Sequence, residues 1–88
     1  MKIRNMTSNL GNDVPNQFII DDRGTTYFKS YSTIIAKERK GKITLDKDRW
    51  NFSVTTGKYR NQFLGEDIAE TRNKIVNGEY KLANLNKK

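Results

Sequence analysis

The segment Trp50–Gly65, WNFSVTTGKYRNQFLG, constrains the fold most, because the hydrophobic period changes inside it. Trp50, Phe52 and Val54 alternate, as an extended segment with one buried face would. Further on, Tyr59 and Phe63 stand four apart and share one face of a helix. Ser53, Thr55 and Thr56 offer hydroxyls to the free N–H groups of that helix's first turn, and Gly65 offers a left-handed stop. The segment therefore marks a switch from a strand-rich first half to a helical second half.

The flanking sequence fills in both halves. Gln17–Asp21 reads as a strand around Phe18, Ile19 and Ile20, and Asp22-Arg23-Gly24 as a tight turn. Thr25–Lys37, rich in Thr, Tyr, Phe and Ile, reads as a long extended run that Ser30–Ser32 can bend. Tyr27, Lys29 and Tyr31 then line one face, with Phe28 on the other. Lys37–Lys42 forms a charged hairpin tip, Ile43–Leu45 a short return strand, and Asp46–Arg49 a polar connection. After a helix over Thr56–Leu64, Glu66 and Asp67 place negative charge at the start of a second. Ile68, Arg72, Ile75 and Val76 give that helix a partial stripe, and Asn77-Gly78 ends it. Tyr80 and Leu82 alternate in a last strand within Glu79–Leu85. The predicted fold is α+β in the order β-β-β-β-α-α-β. A small antiparallel sheet of four to five strands packs against two short helices of the C-terminal half. Residues 1–16, polar and Asn-rich, are expected to form a flexible arm, 17–85 the single domain, and 86–88 a basic tail; Ile3, Met6 and Leu10 also fit a short helix.

Composition bounds the chemistry. At 88 residues and 34% hydrophobic content there is room for one thin core. Without cysteine there are neither disulfides nor thiolate metal sites, and without histidine the commonest general base and metal ligand are gone. No apolar run approaches a membrane span and no signal peptide is visible, so an intracellular protein is expected. Asp46-x-Asp48 is the one carboxylate pair with hard-cation spacing, but it lacks a third ligand and reads as a solvated loop. Ser30, Ser32 and Ser53 have no histidine to activate them, and no Gly-rich phosphate loop precedes a helix. The expectation is a protein without catalysis, metal or cofactor.

A net charge of +7 points to binding instead. Lys37, Arg39, Lys40 and Lys42 crowd one hairpin tip, and Lys58 and Arg60 lie near a helix N-terminus, where backbone N–H groups favour phosphate. Tyr27 and Tyr31 beside Lys29 match the stacking faces of single-strand binders. Simpler structural roles compete: a tyrosine face covered by a helix, a charged tip that discourages edge pairing, and Trp50 and Phe63 as core.

The runs Phe28-Lys29-Ser30-Tyr31-Ser32-Thr33-Ile34-Ile35-Ala36, Gly41-Lys42-Ile43-Thr44-Leu45, Trp50-Asn51-Phe52-Ser53-Val54-Thr55-Thr56-Gly57-Lys58-Tyr59 and Gln62-Phe63-Leu64-Gly65, closed by Gly78-Glu79-Tyr80-Lys81-Leu82, resemble a family of small proteins. These occur in phages, prophages and plasmids of Gram-positive bacteria and share a domain of unknown function. The resemblance covers residues 17–85, with Phe52 where the family often has Tyr. It implies a mobile element in the cytoplasm of a bacterial host. There a small basic protein acts as a counter-defence inhibitor, for example an anti-CRISPR, or as a regulator docked on a host protein or a protein–nucleic-acid complex. The alternatives are a direct DNA- or RNA-binding accessory protein using the basic hairpin, and a structural, self-associating protein.

Overall fold

Backbone conformation at two X-Gly pairs sets the sheet. The computed structural model of the protein describes residues 1–86. Its first half forms β1 (Lys2–Thr7), β2 (Asp13–Asp22), β3 (Thr25–Ser30), β4 (Thr33–Arg39) and β5 (Lys42–Asp46), each antiparallel to the next. Arg23 and Gly24 have φ of 53° and 86°, and Lys40 and Gly41 have φ of 51° and 78°. Two consecutive left-handed residues make the tight turn whose twist matches that of the flanking strands. Each pair accordingly fixes the register of its hairpin, Asp22 opposite Thr25 and Arg39 opposite Lys42.

The second half supplies α1 (Val54–Leu64), α2 (Ile68–Val76) and β6 (Lys81–Ala83). Ser53 caps α1 by accepting from the Thr56 N–H, and Gly65 closes it at φ 70°. Asp67 caps α2 by accepting from the Glu70 N–H. The two helices form the crossover that a parallel neighbour requires, and β6 pairs parallel to β5. The fold is α+β, with one sheet of six strands in chain order, against the four to five strands and wholly antiparallel sheet expected from sequence.

Several local expectations need correction. Residues 2–7 and 13–16, predicted as arm, are the edge strand β1 and the start of β2. Thr25–Lys37 is two strands, because Tyr31 adopts φ 57° in a turn. Trp50–Phe52 belongs to turns and a bend, not a strand, and helix α1 already includes Val54. On α2 the residue turned fully inward is Thr71, while Arg72 and Val76 are exposed. Of the basic tail 86–88, residues 87 and 88 lie outside the described residues. Asn86 is ordered by hydrogen bonds with both backbone groups of Ile34.

The core lies on one face of the sheet, beneath the helices. Met6, Ile19, Phe28, Ile35, Ala36 and Leu45 from the strands meet Tyr59 and Tyr80, with Trp50, Phe63, Leu64 and Ile75 packed against them. Phe63 stacks on Phe28 at 5.8 Å between ring centroids. A β-bulge in β4 enlarges this face. Ala36 pairs with Phe28 and Ile34 with Lys29, which leaves Ile35 as an extra residue, and both Ile35 and Ala36 are fully buried.

Candidate nucleic-acid interface

Directly opposed residues on neighbouring strands share a face. Starting at Tyr27, the register runs Ile3, Ile20, Tyr27, Lys37, Thr44, Lys81 across all six strands. The adjacent row is Asn5, Phe18, Lys29, Ile34, and the row on the other side is Asp22, Thr25, Arg39, Lys42. These rows lie opposite the core. Phe18, Ile20, Tyr27 and Ile34 are half-buried by their neighbours in the sheet, yet none belongs to the hydrophobic cluster or packs against it. The helices cover Phe28 and Ser30, whose Oγ lies 2.9 Å from Thr56 Oγ1, and leave this second face uncovered.

The uncovered face carries aromatic rings among cations. Lys29, Lys37, Arg39, Lys42 and Lys81 lie on it, with Asp22 at one end. Asp46, at the other end, is buried and accepts from the backbone N–H groups of Asp48, Arg49 and Leu85. It is a structural anchor for the turn after β5. Among the described residues no group of three or more metal-binding side chains assembles.

Of the predicted contact residues, Tyr27, Lys29, Lys37, Arg39 and Lys42 come together here. Arg39 is partly committed, since its Nη1 donates to Thr25 Oγ1 at 2.8 Å and to the Arg23 carbonyl. Lys40 sits at the hairpin tip. Tyr31 stands apart from Tyr27, in the β3–β4 turn and 54% exposed. Phe18, Ile20 and Ile34 belong to the face and went unrecognised in the sequence. The Arg23-Gly24 turn could have revealed the first two, because a two-residue turn pins Ile20 opposite Tyr27 and Phe18 opposite Lys29. Lys81 had no such local signal.

Lys58 and Arg60 lie on the helix side of the molecule and do not join the sheet face. Lys58 is exposed near the start of α1, 5.4 Å from the Tyr59 ring centroid. Arg60 is buried, its guanidinium 5.4 Å from the Trp50 ring, and donates to the Trp50 carbonyl, Asn51 Oδ1 and Asn61 Oδ1. Burial first, then the positive charge of Arg72, lowers its pKa, while Glu66 acts in the opposite sense. Both residues line a groove of about 990 Å³ that also takes in Ser8, Asn51, Phe52, Ser53 and Arg72.

The structure is thus a small α+β fold whose mixed sheet has one face under the helices and one bordered by cations. The chain belongs to the DUF8033 family, a family of unknown function, whose model matches residues 1–78. No curated protein and no solved structure matches it. Among the described residues no helix is long and apolar enough to cross a membrane.

Proposed function

We propose that the protein is a non-enzymatic binding module that takes single-stranded nucleic acid on the open face of its sheet. The observation that carries this reading is the in-register placement of Tyr27 and Phe18 among Lys29, Lys37 and Lys81 on a face no helix covers. Aromatic rings stack bases of any sequence, and lysines beside them neutralise phosphates. The test is fluorescence anisotropy with a labelled single strand over a range of salt. Engagement of four lysines gives a log–log slope of about −2.8. Tyr27→Ala weakens binding by about 1–3 kcal/mol, as loss of one stacked base does. Absence of binding at low salt, or full affinity in a Lys29→Glu, Lys37→Glu, Lys42→Glu triple variant, rules the reading out.

A second reading keeps the mobile-element context: a counter-defence protein in the bacterial cytoplasm that docks on a host protein or protein–nucleic-acid complex. Phe52 and Val54, 44% and 91% exposed at the start of α1, favour it as apolar anchors. Pull-down from the bacterial host with and without nuclease treatment separates the two, since only a protein partner survives the nuclease.

A further inference from the structure

The groove beside α1 has an unusual charge composition. Lys58, Arg60 and Arg72 line it, with amides and hydroxyls between them, and among the described residues no carboxylate does. The start of α1, from Ser53 to Lys58, forms one wall, so the positive end of the helix dipole opens onto the same space. Arg60 is 2% exposed. Its guanidinium lies against Gly57, where an added Cβ would come within 3.6 Å of Nη2, and opposite the Trp50 ring. Its three hydrogen bonds all go to neutral oxygens, and its Nε, itself buried, has no partner, so the charge acts on the groove through its field rather than by contact. A role as strut for the Trp50–Asn51 turn explains the three bonds. It does not explain why a buried cation has no counter-ion there, or why Arg72 stands near enough to depress its pKa. The nearby carboxylate of Glu66 is already held by Lys74, Thr71 and Tyr80. At the groove's rim Phe52 offers an exposed ring, with the Arg49 guanidinium 5.6 Å from its centroid.

We propose that this groove binds the phosphate of a nucleotide through the exposed Lys58 and Arg72, with the buried Arg60 guanidinium adding positive charge from beneath and the base against Phe52, the ligand being a free nucleoside phosphate or the phosphorylated end of a strand. A groove of about 990 Å³ has room for base and sugar as well as phosphate. The site stands apart from the sheet face and does not depend on it.

Trp50 is the only tryptophan, and its ring centroid lies 5.4 Å from the guanidinium of Arg60, which lines the groove, so its fluorescence serves as the probe. It is titrated with adenosine 5′-monophosphate, with adenosine, and with a 5′-phosphorylated oligothymidylate and its 5′-hydroxyl twin. Adenosine monophosphate or the phosphorylated strand binds, and adenosine and the hydroxyl strand leave the signal unchanged. Tighter binding of the phosphorylated strand identifies a strand end, and tighter binding of the monophosphate a free nucleotide. Arg72→Gln and Lys58→Gln, both at exposed positions, each weaken phosphate binding about tenfold, as loss of one charge-assisted contact does. Arg60 is left intact, because its removal disturbs the Trp50 turn. Lack of any response to either phosphate ligand, or unchanged affinity in Arg72→Gln, overturns the assignment. So does loss of phosphate binding in Tyr27→Ala, which would move the site to the sheet and leave the strand-binding reading standing.

Discussion

Single side chains hold the helical half together, and Glu66 is the clearest of them, joining α2 to the segment that leads into β6. Its side chain is 2% exposed, and it accepts from Lys74 Nζ at 2.7 Å, Thr71 Oγ1 at 2.5 Å and Tyr80 Oη at 2.7 Å. Burial alone would push its carboxyl up, but the three hydrogen bonds together outweigh burial and hold it below the usual carboxylate range. Burial first, then the bond to Glu66, pushes Tyr80 up to about 12. The signs follow from linkage. Glu66 contributes stability that is complete above the ordinary glutamate pKa of about 4.3 and is lost as pH falls through its lower folded value. Tyr80 contributes stability complete below about 10 and lost as pH rises through about 12. Glu66→Gln is expected to cost about 2 kcal/mol at neutral pH and to flatten the acid limb of urea midpoint against pH. An acid limb unchanged in the variant removes Glu66 from this role. Gln17 presents the opposite case. It is fully buried, and neither amide atom has a partner. Gln17→Leu should stabilise the fold by about 1–2 kcal/mol in urea denaturation; a destabilised variant would mean that the amide is satisfied by buried water. The sequence offered Glu66 only as charge at the start of α2, and not as the buried acceptor of Thr71, Lys74 and Tyr80; Gln17 offered no local signal of its burial. The same holds for Arg60, whose charge suggested a surface contact while Trp50 and Asn51, ten and nine positions earlier, hold it inside.

Elements were legible where their determinants are local. Both X-Gly turns, the Ser53 cap and the Gly65 stop follow from residues that act within four positions of themselves. Strand β1 was not, since what makes it a strand is β2, reached through a loop in which Gly11 takes φ 81°. The alternation of Trp50, Phe52 and Val54 misled for a related reason: Asp46 gathers the following N–H groups into a turn, and Ser53 starts the helix before a strand can form. The bulge at Ile35 hid the open face in another way, by moving Ile34 onto the side of Lys29 and Lys37. Turn geometry carries its own prediction. Arg23 holds φ 53° without the side-chain compensation that lets Asn occupy that region easily. Arg23→Asn keeps the carbonyl that accepts from Arg39 and should raise stability by about 0.5–1 kcal/mol in thermal or urea unfolding. No gain, or a loss, would show that this hairpin does not limit stability.

At the scale of the molecule, the C-terminal return closes the structure. Residues 80–86 bury Tyr80 against the core, pair β6 with β5, give Asp46 its bond from the Leu85 N–H, and occupy the Ile34 backbone with the Asn86 amide. Without them β5 becomes an unpaired edge and Glu66 loses its tyrosine donor. The family match ends at residue 78, before all of these contacts. A chain stopped at Gly78 tests what they contribute. Loss of the buried Tyr80 alone costs about 3–5 kcal/mol, a large part of the about 5–15 kcal/mol that holds a small domain folded. The shortened chain is expected to unfold at a clearly lower urea concentration and over a broader range than the full chain. It also loses Lys81 from the open face, which should reduce the salt slope for a single strand by about 0.7 under conditions where it remains folded. Full stability in the shortened chain would mean that the five antiparallel strands and two helices are self-sufficient and that β6 is an accessory. Retained stability with a weakened salt slope would give the C-terminal strand a part in binding and none in folding.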